Sequence, residues 1–114
     1  MAVVLLGVFA VWQIVVGWTP DRDEYPVQGI VVIAANGKPI WSKLGATGVD
    51  FAYLTAVEGA RIRDGQFEAN LEGVKQAGIR YGALHHFDIC RLASDQAMLF
   101  ITSVPRDPAA LPPA

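Results

Sequence analysis

Two carboxylates stand where short apolar runs end, and they are the side chains best placed for acid–base chemistry. Glu58 and Asp88 each follow directly on a run typical of a buried strand. The carboxyl ends of parallel strands meet at one edge, where enzymes of barrel type mount their reactive groups. Two carboxyl groups at that edge could act as an acid and as a base or nucleophile. The alternatives are an ion pair of Glu58 with Arg61 or Arg63, and a solvated loop carboxylate for Asp88.

Two adjacent histidines, His85 and His86, lie just before Asp88. Neighbouring residues of a strand point to opposite faces, so this pair is poorly placed to share a metal ion. His85 could orient a carboxylate or hydrogen-bond a ligand, or it is simply a hydrogen-bonded histidine near a strand end. Cys90 is the single cysteine and has no partner at a metal-binding spacing. We therefore expect no metal site and no cofactor.

The composition limits the size of the protein and its classes of partner. With 114 residues the chain holds one small domain. The net charge is −2, and the sequence has no cluster or stripe of Lys and Arg. A nucleic-acid-binding surface needs such a cluster, so the sequence predicts no nucleic-acid partner.

The N-terminal segment differs in character from the rest. Residues 2–18 carry no charged side chain and only one strongly polar one, Gln13. This pattern predicts a hydrophobic helix that anchors the protein in a membrane. A cleaved signal peptide and a buried core helix are the alternatives. We assign residues 1–18 to the anchor or signal segment, residues 19–27 to a polar linker and residues 28–114 to the domain.

Strand-like and helix-like segments alternate along that domain. Apolar runs rich in β-branched and aromatic residues predict buried strands at 29–35, 51–57 and 81–87. Helical periodicity then places two apolar stripes facing inward, one at Phe67, Leu71 and Val74 and one at Ala97, Ile101 and Val104. Such alternation implies parallel pairing, either in a closed barrel or in an open doubly wound sheet. The loop AANGKPI lacks the glycine fingerprint of a dinucleotide-binding sheet.

Three blocks of sequence carry a more specific signal. They are YPVQGIVVIAANGKPIWSKL, GVDFAYLTAVEGA and FEANLEGVKQAGIRYGALHHF. In order, spacing and residue types, these blocks resemble the motifs of the family 25 glycoside hydrolases, the Chalaropsis-type lysozymes. The family patterns are G-I-D-V-S-x-x-N/Q-G with I-D-W-x-K, G-V-D-F-x-Y-I-K-A-T-E-G, and F-x-x-N-x-x-G-A-x-x-A-G-L-x-x-G-A-Y-H-F. The resemblance implies an α/β fold, an incomplete parallel (β/α) barrel of TIM type with about three βα units after the hydrophobic helix.

The resemblance also implies a substrate and a set of site residues. Its substrate is peptidoglycan, cleaved at the glycosidic bond between the aminosugars. Glu58 is then the remnant catalytic group, and Asn36 and His85 are candidates for substrate binding. Asp88 has no counterpart in the family pattern and joins the substrate-binding candidates by its position after the third strand.

Departures from the family pattern weaken the prediction of an active enzyme. Val31, Thr55 and Leu84 stand where the family has an acid, a lysine and a tyrosine. The chain stops before the fourth strand, where the family carries Asp-x-Glu, and glycoside hydrolysis ordinarily needs two carboxyl groups flanking the bond. We therefore expect the chain alone to be inactive. The alternatives are a non-catalytic module that binds cell-wall glycan or a protein, and an enzyme completed by a separate chain.

Three strands cannot close a barrel, so both outer strands should expose unpaired backbone. We expect self-association through these open sheet edges. From the resemblance we expect a protein held in the membrane by residues 2–18 and facing the periplasm or the cell exterior, or else a secreted one.

Overall fold

The computed structural model describes all 114 residues, and three parallel strands form the centre of its sheet. The strands are β1 (Gly29–Val32), β2 (Phe51–Glu58), β3 (Ile62–Arg63) and β4 (Arg80–His86). β1 and β4 both pair with β2 in parallel, whereas the short β3 pairs with the end of β2 in antiparallel fashion. The result is a mixed α/β fold with a partial sheet. The predicted strands are all present, although β1 ends early because the chain enters a 3₁₀ turn at Ala34–Asn36.

Four helices accompany the sheet, and they are α1 (Ala2–Gly17), α2 (Trp41–Ala46), α3 (Phe67–Gln76) and α4 (Ala93–Ser103). The apolar stripe predicted for α3 is confirmed, with Phe67 and Val74 buried and Leu71 half-buried. The stripe predicted for α4 is wrong in two of its three positions. Ala97 and Ile101 are exposed, and the buried residue of this helix is the polar Gln96.

One face of the sheet holds the core. Alternate residues of the central strands pack there against α2 and α3, and the core residues are Val32, Trp41, Ala52, Leu54, Ala56, Phe67, Val74, Ile79, Tyr81 and Ala83. Trp41 of α2 lies directly over Gly73 of α3, where a Cβ would overlap the indole ring. A side chain at position 73 would thus separate the two helices.

The opposite face has none of these helix residues against it, and we call it the helix-free face. Its residues alternate with the core residues along the strands, and they are Val31, Phe51, Tyr53, Thr55, Leu84 and His86. The Tyr53 ring lies across Gly82, whose Cβ, if it had one, would fall 2.5 Å from the ring. Val31 is 55% exposed on this face.

The C-terminal segment lies along the outer edge of β4. Leu111 N–H donates to Tyr81 O at 2.7 Å, and Ala114 N–H donates to Ala83 O at 3.1 Å. His85 N–H returns a bond to Ala114 O at 2.8 Å, so the segment advances in the same direction as β4. The prediction that both outer strands expose unpaired backbone is therefore wrong for β4.

An ionic cluster holds the preceding turn against α3 and β4. Asp107 pairs with Lys75 Nζ at 2.9 Å and accepts a hydrogen bond from the Tyr81 hydroxyl. The hydrogen bond from Tyr81, with that from Lys75, lowers the pKa of Asp107 from 3.8 to about 2. Burial, together with the neighbouring Asp107 carboxylate, raises the pKa of the Tyr81 phenol.

Residues 20–28 run across the amino ends of β1 and β2. The Arg22 guanidinium donates to Asp50 Oδ2 at 3.1 Å and also to the carbonyl of Gly48. Gln28 N–H donates to the same Asp50 oxygen at 2.8 Å, and this bond, aided by Arg22, lowers the pKa of Asp50. The segment between α1 and β1 is thus tied to the domain at Asp50.

The helix α1 stands apart from the domain, and every one of its residues is exposed. It has 16 residues, or about 24 Å of helix, against a hydrocarbon core of about 30 Å. No helix in the structure combines the length and the apolarity that a membrane crossing requires. The membrane anchor predicted for residues 1–18 is therefore not supported.

Candidate functional site

The site is built where the parallel strands end. Glu58 is the last residue of β2, Asp88 comes two residues after β4, and Asn36 lies in the turn after β1. Parallel pairing brings these three strand ends to one edge of the sheet. The fourth predicted residue, His85, lies within β4 near the same edge.

A β-bulge in β2 decides which way Glu58 points. Thr55 is the partner of Leu84, but after the bulge Val57 is the partner of His85 and Glu58 the partner of His86. If the same sequence paired without the bulge, Ala56 would be the partner of His85 and Val57 that of His86, and Glu58 would face the helices. The bulge instead places Glu58 beside His86 on the helix-free face, in the manner of bulges that redirect a side chain.

The two histidines occupy different environments. His86 is exposed on the helix-free face, and its Nε2 lies 3.4 Å from the Thr55 hydroxyl. His85 is half-buried on the other face, with its Nε2 3.2 Å from Gly59 O and its ring 6.2 Å from that of Phe100. The structure therefore places His86, which the sequence reasoning passed over, next to Glu58. The alternation of Tyr81, Ala83 and His85 on the core side was the signal that could have identified it.

Asp88 lies against Gly59, the residue that follows Glu58 in the chain. A Cβ on Gly59 would lie 3.3 Å from Asp88 Cβ and 3.6 Å from Asp88 Oδ2, so the aspartate packs against this glycine. Gly59 has a positive φ of 56°, a conformation that suits a residue without a side chain. Asp88 Oδ1 accepts the N–H of Cys90 at 2.8 Å. The Oδ2 atom, on the Gly59 side, is the freer of the two oxygens.

Asn36 and Asp64 hold the loops behind these groups. Asn36 Oδ1 accepts Ile33 N–H at 2.9 Å, so this side chain is engaged with its own turn. Asp64 accepts Ala34 N–H and Gln66 N–H, each at 2.8 Å, and its own N–H donates to the carbonyl of the bulge residue Ala56. Asp64 thus joins the turn after β1 to the bulge that directs Glu58.

The charges of the site are not neutralised by ion pairs. The ion pairs of the protein are Arg22–Asp50 and Lys75–Asp107, and neither touches this edge. The alternative pairing of Glu58 with Arg61 or Arg63 does not occur. No group of three or more His, Cys, Asp or Glu side chains is arranged to hold a metal ion. The arrangement is an exposed carboxylate with an imidazole beside it and a second carboxylate on the neighbouring loop, groups that can exchange protons and hydrogen-bond a hydroxylated ligand.

Comparison with known proteins assigns a family. The sequence profile of "Glycosyl hydrolases family 25" matches residues 23–114. Lysozyme M1 of Streptomyces globisporus is 41% identical over 63 residues, which are 55% of this chain and 21% of that protein. The Escherichia coli (strain K12) protein YegX is 32% identical over 86 residues, which are 71% of this chain and 32% of that protein.

Solved structures agree with the sequence comparison. A family 25 glycosyl hydrolase from Bacillus anthracis superposes with a TM-score of 0.74 at 32% identity, over 76% of this chain and 40% of that one. The bacterial lysozyme of Streptomyces coelicolor gives a TM-score of 0.69 at 35% identity, over 76% of this chain and 42% of that one. The chain thus spans less than half the length of each of these relatives.

Proposed function

Because this chain belongs to glycosyl hydrolases family 25, we propose that it carries part of a lysozyme-like domain whose ligand is peptidoglycan. The observation that carries the proposal is that Glu58 and His86 are strand partners on the helix-free face. The β-bulge in β2 turns Glu58 to that face. A second carboxylate, that of Asp88, lies on the neighbouring loop against Gly59. The bond on which the relatives' chemistry would act is the glycosidic bond between the aminosugars.

The partial sheet belongs, in this proposal, to a parallel (β/α) barrel of TIM type. Three observations support it: β1, β2 and β4 are parallel, the core helices cover only one face, and residues 111–114 continue the parallel order beyond β4. The helix-free face would be the barrel interior. Peptidoglycan lies outside the cytoplasmic membrane, so the domain would work in the periplasm or at the cell exterior.

These 114 residues on their own would bind glycan without cleaving it. They contain no Asp-x-Glu sequence, and Val31 stands where the family has its first-strand acid. Val31 is exposed on the helix-free face beside Tyr53, where it can neither donate nor accept a proton. Glu58 and Asp88 would then contribute to binding. A glycan-binding module without catalysis is therefore the first candidate for this chain alone, and a protein-binding module is the second.

The outer edge of β1 has no partner strand, so self-association through this edge is part of the same proposal. Self-association is tested by measuring the molar mass by light scattering over a range of protein concentrations. A single monomer mass up to high micromolar concentration would contradict it.

The central experiment measures binding and cleavage separately. Purified chain is sedimented with insoluble peptidoglycan, and the same suspension is followed for loss of turbidity. We expect binding without clearing, and we expect Glu58→Gln to weaken the binding about tenfold, the effect of losing one charged hydrogen-bonding group. Glu68→Gln changes an exposed glutamate on α3 and serves as the control. Clearing by the wild type, or equal binding by the two variants, would contradict the proposal.

A further inference from the structure

The 87–92 loop, which joins β4 to α4 and carries Asp88, is held by one buried side chain. Gln96 of α4 is 0% exposed, although its amide is polar. Its Oε1 accepts Asp88 N–H at 2.8 Å. Its Nε2 donates to Asp88 O at 2.9 Å and to Arg91 O at 3.2 Å. Both amide hydrogens and the carbonyl oxygen are thus used on the backbone of this loop.

The loop has little else to fix it. Its apolar side chains point into solvent, with Ile89 88% exposed and Leu92 70% exposed. The remaining bonds are local, from Cys90 N–H to Asp88 Oδ1, from Arg91 N–H to Asp88 O and from Gln96 N–H to Leu92 O. A loop without buried apolar contacts opens at little cost in free energy unless polar bonds hold it.

We propose that Gln96 is the positioning residue of the candidate site: it holds the 87–92 loop so that the Asp88 carboxylate lies against Gly59 beside Glu58. Gln96 acts from the far side of the loop and touches no ligand. The part of this inference that concerns glycan rests on the proposed function, whereas the part that concerns the loop stands on the contacts alone.

Two variants remove these bonds in different ways. Gln96→Leu keeps a similar volume and leaves Asp88 N–H and Arg91 O without their side-chain partner, while Asp88 O keeps only the N–H of Arg91. Gln96→Glu keeps an acceptor for Asp88 N–H but turns a carboxylate oxygen toward the carbonyls of Asp88 and Arg91, so it tests the two donated bonds separately from the accepted one. Gln76→Leu is the matched control, because Gln76 is exposed on α3 and bonds only to Glu72.

The first measurement follows the loop without any ligand. Amide hydrogen exchange is recorded on the full chain, together with the rate at which an aromatic disulfide labels the exposed Cys90 thiol. We expect Asp88 N–H to exchange at least about tenfold faster in Gln96→Leu, and by a smaller factor in Gln96→Glu, which keeps an acceptor for it, while the amides of β2 keep their protection. Unchanged exchange at Asp88, or an equal loss of protection throughout the sheet, would overturn the inference, because Gln96 would then be an ordinary core residue.

The second measurement is a double-mutant cycle on peptidoglycan binding. We expect Gln96→Glu to weaken binding about fivefold to tenfold in the wild-type background and less than twofold in an Asp88→Ala background. Equal effects in both backgrounds would overturn a role that runs through Asp88. If the wild-type chain binds no peptidoglycan, the proposed function fails, and the exchange measurement still decides the role of Gln96.

Discussion

Asp107, whose pKa is lowered to about 2, contacts Tyr81 at the end of β4 opposite to the candidate site. Its folded pKa of about 2 lies below the ordinary value of 3.8, so the unfolded chain binds protons more readily. The stability from this cluster is fully present above pH 3.8 and is lost as the pH falls toward about 2. The pKa values of Lys75 and Tyr81 are raised, so the stability that these two groups contribute is lost at alkaline pH, where each loses its proton.

Replacing Asp107 should therefore make the free energy of unfolding less dependent on pH between pH 3.8 and about 2. We expect Asp107→Asn to unfold more easily than the wild type at neutral pH, and the difference to shrink as the pH approaches about 2. Urea unfolding at a series of pH values measures it. Some acid sensitivity should remain, because the pKa of Asp50 is also lowered. A constant difference between the two proteins at every pH would contradict this account.

The two histidines should separate function from stability. We expect His86→Gln to weaken peptidoglycan binding about tenfold with the thermal midpoint unchanged, because His86 is exposed beside Glu58. We expect His85→Gln to lower the midpoint, because His85 is half-buried against Phe100. Paired binding assays and thermal melts measure both effects. The reverse result would place His85 at the site instead.

At the scale of elements, Trp41 and Gly73 set the distance between α2 and α3. A Gly→Ala change inside a helix normally stabilises by roughly 0.5–1 kcal/mol. At position 73 the new methyl group would overlap the buried indole ring, so we expect Gly73→Ala to destabilise by about 1–3 kcal/mol. Gly45→Ala in α2, where the nearest atom is 3.8 Å away, is the control and should be neutral or stabilising. Chemical unfolding measures both, and equal free energies would contradict the contact.

Periodicity in the sequence predicted the elements well wherever apolar residues mark the buried side. The stripe of Phe67 and Val74 identified α3 because its buried positions are apolar. The same reasoning placed the buried side of α4 one residue too far along the chain. The buried residue is Gln96, and a search for apolar spacing does not find a buried amide. Resemblance to the family supplied the strand order and the general place of the site.

Other features leave no mark in a pattern of apolar spacing. The bulge that aims Glu58 adds one residue to an otherwise unbroken apolar strand, so neither composition nor alternation reveals it. The C-terminal pairing is not predictable in this way, because Pro112 and Pro113 lack an N–H and interrupt the segment that pairs. Its bonds use Leu111 and Ala114, which flank the two prolines and keep their N–H groups.

At the scale of the whole molecule, α1 should be dispensable for folding. Every residue of α1 is exposed, so deleting residues 2–17 removes no buried apolar area. We expect the thermal midpoint to change by less than about 2 °C. Deleting residues 2–26 is the comparison, because it also removes Arg22 and its bonds to Asp50 and Gly48, and it should lower the midpoint. Circular dichroism melts measure both, and a large loss on the shorter deletion would reveal a contact between α1 and the domain.

The order of pairing in the sheet also bears on how the chain is made. β2 pairs with β1, β4 pairs with β2, and residues 111–114 pair with β4, so each parallel strand meets a partner that already exists. A chain synthesised from its N-terminus can therefore assemble the sheet in the order of translation. The edge of β4 is covered only when Ala114 has emerged. Until then this edge is open, and a chaperone or a neighbouring nascent strand would compete there with residues 111–114.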